Sequence, residues 1–149
     1  MTRALGVDLG SKRIGVALSD SAGILATPLE VVHRSGKRSL DHARLANLVA
    51  EHEVEIIVVG LPLALSGQVT SAARSALHEV AEIVKRVPVP VVTYDERFTT
   101  VTAEQYLMDQ NMRAPARRKI IDKVAAAVLL QAWLDAGSPS SPPGEEDGR

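Results

Sequence analysis

The sequence predicts an α/β domain: a mixed five-stranded sheet flanked by helices. Three observations carry this. Three short apolar runs follow one another at the N-terminus with only turn residues between them. Two later apolar runs each come after a segment whose apolar residues have helical spacing. The chain has 149 residues, 46% of them hydrophobic, which suits one domain with a sizeable core.

In the first run, Leu5, Val7 and Leu9 alternate with Ala4, Gly6 and Asp8, the period of a strand. Ile14 to Leu18 follows within a few residues, so the two form a hairpin. A third run, Ile24 to Val32, comes after a turn ending at Gly23. These three strands are expected to be antiparallel neighbours. Ser35 to Ser39 is a polar loop, and Leu45, Leu48 and Val49 mark a helix from about Asp41 to Glu51.

Val54 to Val59, apolar but for Glu55, is a strand covered on both faces that stops at Gly60-Leu61-Pro62. A loop through Ser66-Gly67 leads to a second helix, whose apolar stripe is Ala73, Ala76, Leu77, Val80 and Val84. Val87 to Tyr94 is the fifth strand, with Pro88 and Pro90 at its start. A third helix follows Thr99-Thr100 and contains Ala103, Tyr106 and Leu107. A basic loop with Ala114-Pro115 separates it from a last helix, about Arg118 to Ala136. Strands four and five, joined through a helix, should run parallel. The folded domain is expected over residues 1–136. Residues 137–149 (GSPSSPPGEEDGR) read as a disordered tail rich in Pro, Ser and acid.

Composition excludes several classes. There is no cysteine, hence no disulfide or thiolate chemistry. No signal peptide and no bilayer-spanning apolar stretch is visible, so a cytoplasmic protein with no membrane partner is expected. His33, His42, His52 and His78 lack zinc-ligand spacing, and no serine or carboxylate partner is indicated for them. A G-x-S-x-G elbow is absent. The net charge of −1 favours no partner, but its distribution does. Arg113, Arg117, Arg118, Lys119 and Lys123 surround the single acid Asp122, and Arg34, Lys37, Arg38 and Arg44 form a smaller basic group. Two basic groups flanking an acidic site point to a polyanionic substrate.

Three acids stand in buried-looking places. Asp8 lies inside a strand with Gly6 and Gly10 on either side, where a carboxylate is costly unless paired or bound to a metal. The bare Gly10 allows a backbone or a phosphate to approach. Pairing of Asp8 with Lys12 or Arg13 is the structural alternative. Asp122 shares a helical stripe with Ala125, Ala126, Leu129 and Trp133; placement in a helix's first turn is its alternative. At the end of strand five, Asp95 and Glu96 point to opposite sides, and either one could face Asp8's crevice or pair with Arg97. Carboxylates converging in this way suit Mg²⁺ or Mn²⁺.

GVDLGSKRIGVALSD (6–20), VVGLP (58–62), DERFTT (95–100) and DKVAAAVLLQAWL (122–134) together resemble the YqgF family, also called RuvX or Holliday junction resolvases. The resemblance runs from about Leu5 to Asp135. It implies a ribonuclease H-like fold and a metal-binding catalytic set of Asp8, Glu96 and Asp122. Related resolvases carry an acid near the end of the fourth strand; here Gly60-Leu61-Pro62 stands there, and Glu96 substitutes for it. The family implies a metal-dependent nuclease that directs water at phosphorus with the 3′ oxygen leaving. The expected substrate is the 5′ end of precursor 16S rRNA, with branched DNA as the alternative. Candidate phosphate contacts are Lys12, Arg13, Arg97, Arg117, Arg118 and Lys119. The partner is thus structured RNA, or else branched DNA, bound by a monomer or a homodimer. A reading from a different class is also open: D-x-G-x-x-x-x-G resembles the first phosphate loop of actin- and Hsp70-like ATPases, although those need two such domains.

Overall fold

The computed structural model describes residues 3–64, 66–99 and 114–139; the side chains of residue 98 and of residues 114–123 lie outside that description. Strand β1 (Ala4–Leu9) pairs antiparallel with β2 (Arg13–Ser19), and β2 pairs antiparallel with β3 (Ala26–His33). On its other side β1 runs parallel to β4 (Ile56–Leu61), and β4 runs parallel to β5 (Val91–Asp95). The five-stranded sheet has the order β3-β2-β1-β4-β5. Helix α1 (Arg38–Glu51) connects β3 to β4, α2 (Ser71–Val84) connects β4 to β5, and α3 (Ala114–Asp135) comes last. The mixed sheet and the parallel β4–β5 pair are as the sequence pattern requires.

Alternation along the strands sorts the two faces. Leu5 and Val7 of β1 and Ile57 and Val59 of β4 pack with Leu45, Leu48 and Val49 of α1 and Ile83 of α2. Ala4, Ala17, Ala26 and Val58 pack with Ala126, Leu130 and Trp133 of α3. The second face is lined by small residues because α3 lies close against the sheet. A Cβ on Gly6 would come within 2.8 Å of Leu130 Cβ and 2.9 Å of the Ala126 carbonyl oxygen. Asp8 follows Gly6 on that same face.

Several boundaries differ from the sequence expectation, each for a local reason. Ile24 and Leu25 belong to the β2–β3 turn and are exposed; both backbone N–H groups donate to Asp20 Oδ1, at 2.8 and 3.2 Å. Strand β5 begins only at Val91, after two prolines that lack an N–H, although the Pro90 carbonyl still accepts from Ile57 N at 2.9 Å. Helix α3 begins at Ala114, inside the segment expected to be a loop. Pro115 falls in its first turn, where the missing N–H removes no intrahelical bond. The expected helix after Thr100 lies outside the described residues.

The first residues of the expected free tail are held in place. Ser138 N donates to the Trp133 carbonyl at 2.9 Å, and Trp133 Nε1 donates to the Pro139 carbonyl at 2.8 Å. The rest of that segment, 140–149, lies outside the described residues.

Candidate nuclease site

Asp8 sits at the carboxyl end of β1, directly opposite Gly15 of β2. The chain then turns tightly through Gly10. Gly10 N donates to the Arg13 carbonyl at 3.0 Å, and a Cβ on Gly10 would lie 2.5 Å from that oxygen. The close approach that Gly10 permits is therefore made by backbone. Among the described residues, Asp8 forms no ion pair with Lys12 or Arg13, and both of those side chains are exposed. Burial pushes the Asp8 carboxyl above its usual range.

The acids at the end of β5 separate cleanly. Asp95 is in register with Leu61 and Tyr94 with Gly60, so Asp95 belongs to the α1/α2 face, away from Asp8. Its Oδ1 accepts from Arg97 N at 2.9 Å, and its Oδ2 accepts from Arg97 Nε at 2.7 Å and from Arg97 Nη2. Burial works against its ionisation, but the Arg97 hydrogen bonds outweigh that and hold its carboxyl below the usual range. Asp95 thus caps the 3₁₀ turn Glu96–Phe98. Arg97, expected as a phosphate contact, is engaged in this cap.

That turn swings Glu96 back over the sheet. A Cβ on Gly60 would meet Glu96 Oε2 at 2.6 Å and its Cγ at 3.0 Å. The Glu96 carboxylate therefore fills the space left by the glycine at the end of β4. Burial, then the nearby charges of Asp8 and Asp95, raise its carboxyl to about 7. Among the described residues neither Asp8 nor Glu96 has a cationic partner. Two partly buried carboxylates, both made costlier to ionise by burial and Glu96 further by the charge of Asp8, offer only hard oxygen donors and fit a divalent cation such as Mg²⁺ or Mn²⁺.

The third expected ligand, Asp122, lies on α3, where the backbone alone is described. Ala126 Cβ and Asp8 Cβ both border the bare Gly15, and Leu130 and Ala126 lie over Gly6. Position 122 is one helical turn further along that stripe, toward the carboxyl end of β1. Among the described residues no three of His, Asp and Glu form a metal-binding group. The side chains of Arg117, Arg118 and Lys119 likewise fall outside the described residues.

Two features escape sequence reasoning. His42, read as lacking a partner, has Nε2 2.7 Å from Glu79 Oε2, and both side chains are buried. Glu79 also accepts from Arg34 Nη1 and Nη2, each at 3.0 Å, and Arg34 Nε donates to the Gly10 carbonyl at 2.8 Å. Burial opposes ionisation of Glu79, yet the bonds from Arg34 and His42 hold its carboxyl below the usual range. This network ties β3, α1 and α2 to the turn after Asp8. It also corrects the reading of the smaller basic group. Arg34 and Arg38 pair with Glu79 and Glu82, and Arg44 pairs with Glu30 and Glu51, so that group is largely neutralised.

The family model described as "RuvX: Holliday junction resolvase" matches residues 2–136. A protein of Mycobacterium ulcerans named "Putative pre-16S rRNA nuclease" is 50% identical over 135 residues, covering 89% of this chain and 78% of its own. A protein of the same name from Desulforamulus reducens is 42% identical, covering 91% of this chain and 98% of its own. Among solved structures, Thermus thermophilus RuvC in complex with a Holliday junction substrate superposes with a TM-score of 0.59 at 19% identity, over 92% of this chain and 98% of that one. That likeness bears on the fold alone and agrees with the ribonuclease H-like architecture. Among the described residues no helix is long and apolar enough to cross a membrane. On the family match and these identities, the chain belongs to the RuvX family.

Proposed function

We propose that this protein is a divalent-metal-dependent phosphodiesterase of the cytoplasm that trims the 5′ end of precursor 16S rRNA. The observation that carries the chemistry is the Glu96 carboxylate seated over the bare Gly60, near enough to Asp8 for that charge to raise it, at the carboxyl ends of the parallel strands. The name shared by the sequence relatives favours the RNA substrate. The family description keeps a four-way DNA junction as the second reading. Family membership lends nothing to the ATP-binding alternative.

Asp8 and Glu96, joined by Asp122 from α3, are the residues that would hold Mg²⁺ or Mn²⁺. When bound, the ion supplies Lewis-acid stabilisation of the charge that develops at the phosphoryl group. The remaining work falls to the chain. The Asp95–Arg97 cap fixes the turn that aims Glu96. Arg34 fixes the turn that follows Asp8. Lys12 and Arg13 stand exposed beside Asp8, where they can meet phosphates, and Arg117, Arg118 and Lys119 flank position 122.

The test is cleavage of labelled precursor rRNA and of a four-way junction side by side, with Mg²⁺ or Mn²⁺ and with excess chelator. Metal-dependent cleavage of the rRNA at its 5′ end, lost in a folded Asp8→Asn variant, is expected. Cleavage of the junction alone would move the assignment to branched DNA. Undiminished cleavage by the metal-free protein would remove the metal-based account.

A further inference from the structure

A cleft of about 720 Å³ opens beside the acid pair, on the α1/α2 side of the strand ends. It reaches Gly10, whose N–H donates to the Asp8 carbonyl at 3.1 Å, and Gly60, which borders the Glu96 carboxylate. Its floor is the Arg34–Glu79 ion pair, and its rim carries Lys12, Ser11, Arg38 and Ser75. The function proposed above assigns this space no occupant.

The polar groups of the cleft are unbalanced. Most of its side-chain acceptors are occupied by protein: Glu79 takes Arg34 and His42, and Asp41 Oδ1 takes Ser35 N at 3.1 Å, which leaves Asp41 Oδ2. Its donors are left over. Lys12, Ser11 and Ser75 have no side-chain partner among the described residues. Arg34 uses Nε and one N–H on each terminal nitrogen, which leaves two of its five donors without an acceptor among the described residues. A ligand for such a wall must be rich in acceptors. A phosphodiester with base carbonyls is such a ligand, and the volume falls within the range of small-ligand sites. A duplex cannot enter a space of that size. Among the described residues no aromatic lines it, so the affinity they supply comes from charge and hydrogen bonds rather than stacking.

We propose that this cleft is a subsite for one unpaired nucleotide of the substrate strand, next to the scissile phosphate. The inference rests on the nuclease reading, and it adds that the strand must be single at this point. Lys12 then contacts the phosphate at the mouth, and the leftover Arg34 and serine donors read the buried part.

Ala72 and Ser75 line the cleft from exposed positions on α2, so tryptophan at either one fills the space at little cost to the core. The test uses the full-length chain carrying Asp8→Asn, and a short labelled single-stranded RNA compared with the same RNA annealed to its complement. Ala72→Trp and Ser75→Trp should each weaken single-strand binding by about tenfold and leave duplex binding within about twofold. Lys12→Ala, a surface change that spares the fold, should also weaken single-strand binding and lower its salt slope by about one. Unchanged single-strand affinity in Lys12→Ala, and in either tryptophan variant that keeps its melting temperature, overturns the proposal. Equal losses for single strand and duplex overturn it as well. Failure of the nuclease reading would appear separately, as no metal-dependent cleavage by the unsubstituted chain, and would leave these binding comparisons intact.

Discussion

Glu96→Gln should stabilise the metal-free protein at neutral and alkaline pH while abolishing cleavage. The Glu96 carboxyl is raised from 4.5 to about 7 by burial and by the charges of Asp8 and Asp95. Between those values the folded state holds a proton that the unfolded state has released. Stability therefore falls as pH rises through this window, and the full penalty is present above about 7. Below 4.5 both states are protonated and the penalty vanishes. At about 1.4 kcal/mol per pH unit the interval corresponds to at most about 3.5 kcal/mol. Glu96 is only partly buried, and solvent screening brings this to about 1–2 kcal/mol. Glutamine keeps the shape and removes the charge, so it removes the penalty.

The assay is urea denaturation of both proteins in excess chelator, from about pH 4 to about pH 8. The two stability curves should meet at the acid end and separate by about 1–2 kcal/mol at the alkaline end, with the variant above. Added Mg²⁺ should then stabilise the unsubstituted protein more than the variant, because binding to the native state adds stability. A variant that is less stable than the parent at the alkaline end would refute the reasoning. So would two parallel curves, since Glu96 would then carry no unfavourable charge for a metal to relieve.

Three other substitutions separate the site from its support. Gly60→Ala should leave the melting temperature within a few degrees, because the new methyl meets the flexible Glu96 side chain rather than backbone. It should still cut the cleavage rate by about 10²-fold, the scale of an ångström-sized misplacement; a fully active, folded Gly60→Ala would detach Glu96 from the chemistry. Glu79→Ala leaves Arg34 and His42 without their shared carboxylate and should cost about 3–5 kcal/mol of stability, read by denaturant unfolding. A loss below about 1 kcal/mol would show that the buried network is not a unit. Arg117→Ala with Arg118→Ala should weaken RNA binding about equally across sequences and lower the salt slope by about two, one per phosphate contact. An unchanged slope would place these arginines away from the substrate.

Much of this molecule is written locally. Strand alternation in Ala4–Leu9 and the parallel pair β4–β5 follow from period-two patterning and from the handedness of crossovers. Asp8 stood out because a carboxylate inside a strand pattern conflicts with burial, and that conflict is visible in a few adjacent residues. Pro115 misled for the same local reason: proline punctuates helices, but in a first turn it breaks no bond.

Tertiary packing decided the rest. Alternation alone puts Asp95 and Glu96 on opposite sides without saying which side holds Asp8. The register of β5 against β4, the turn capped by Asp95 and the space above Gly60 make that choice. His42 and Glu79 lie 37 residues apart, and Arg34 and Glu79 lie 45 apart. No periodicity reaches that far, so only the packing of α1 and α2 against the sheet brings their side chains together. The sequence by itself determined the order of the described strands and helices, though not their ends, and that an acid is misplaced on the first strand. The folded chain determined which second acid stands beside it, because that depends on distances between segments and not on spacing within one.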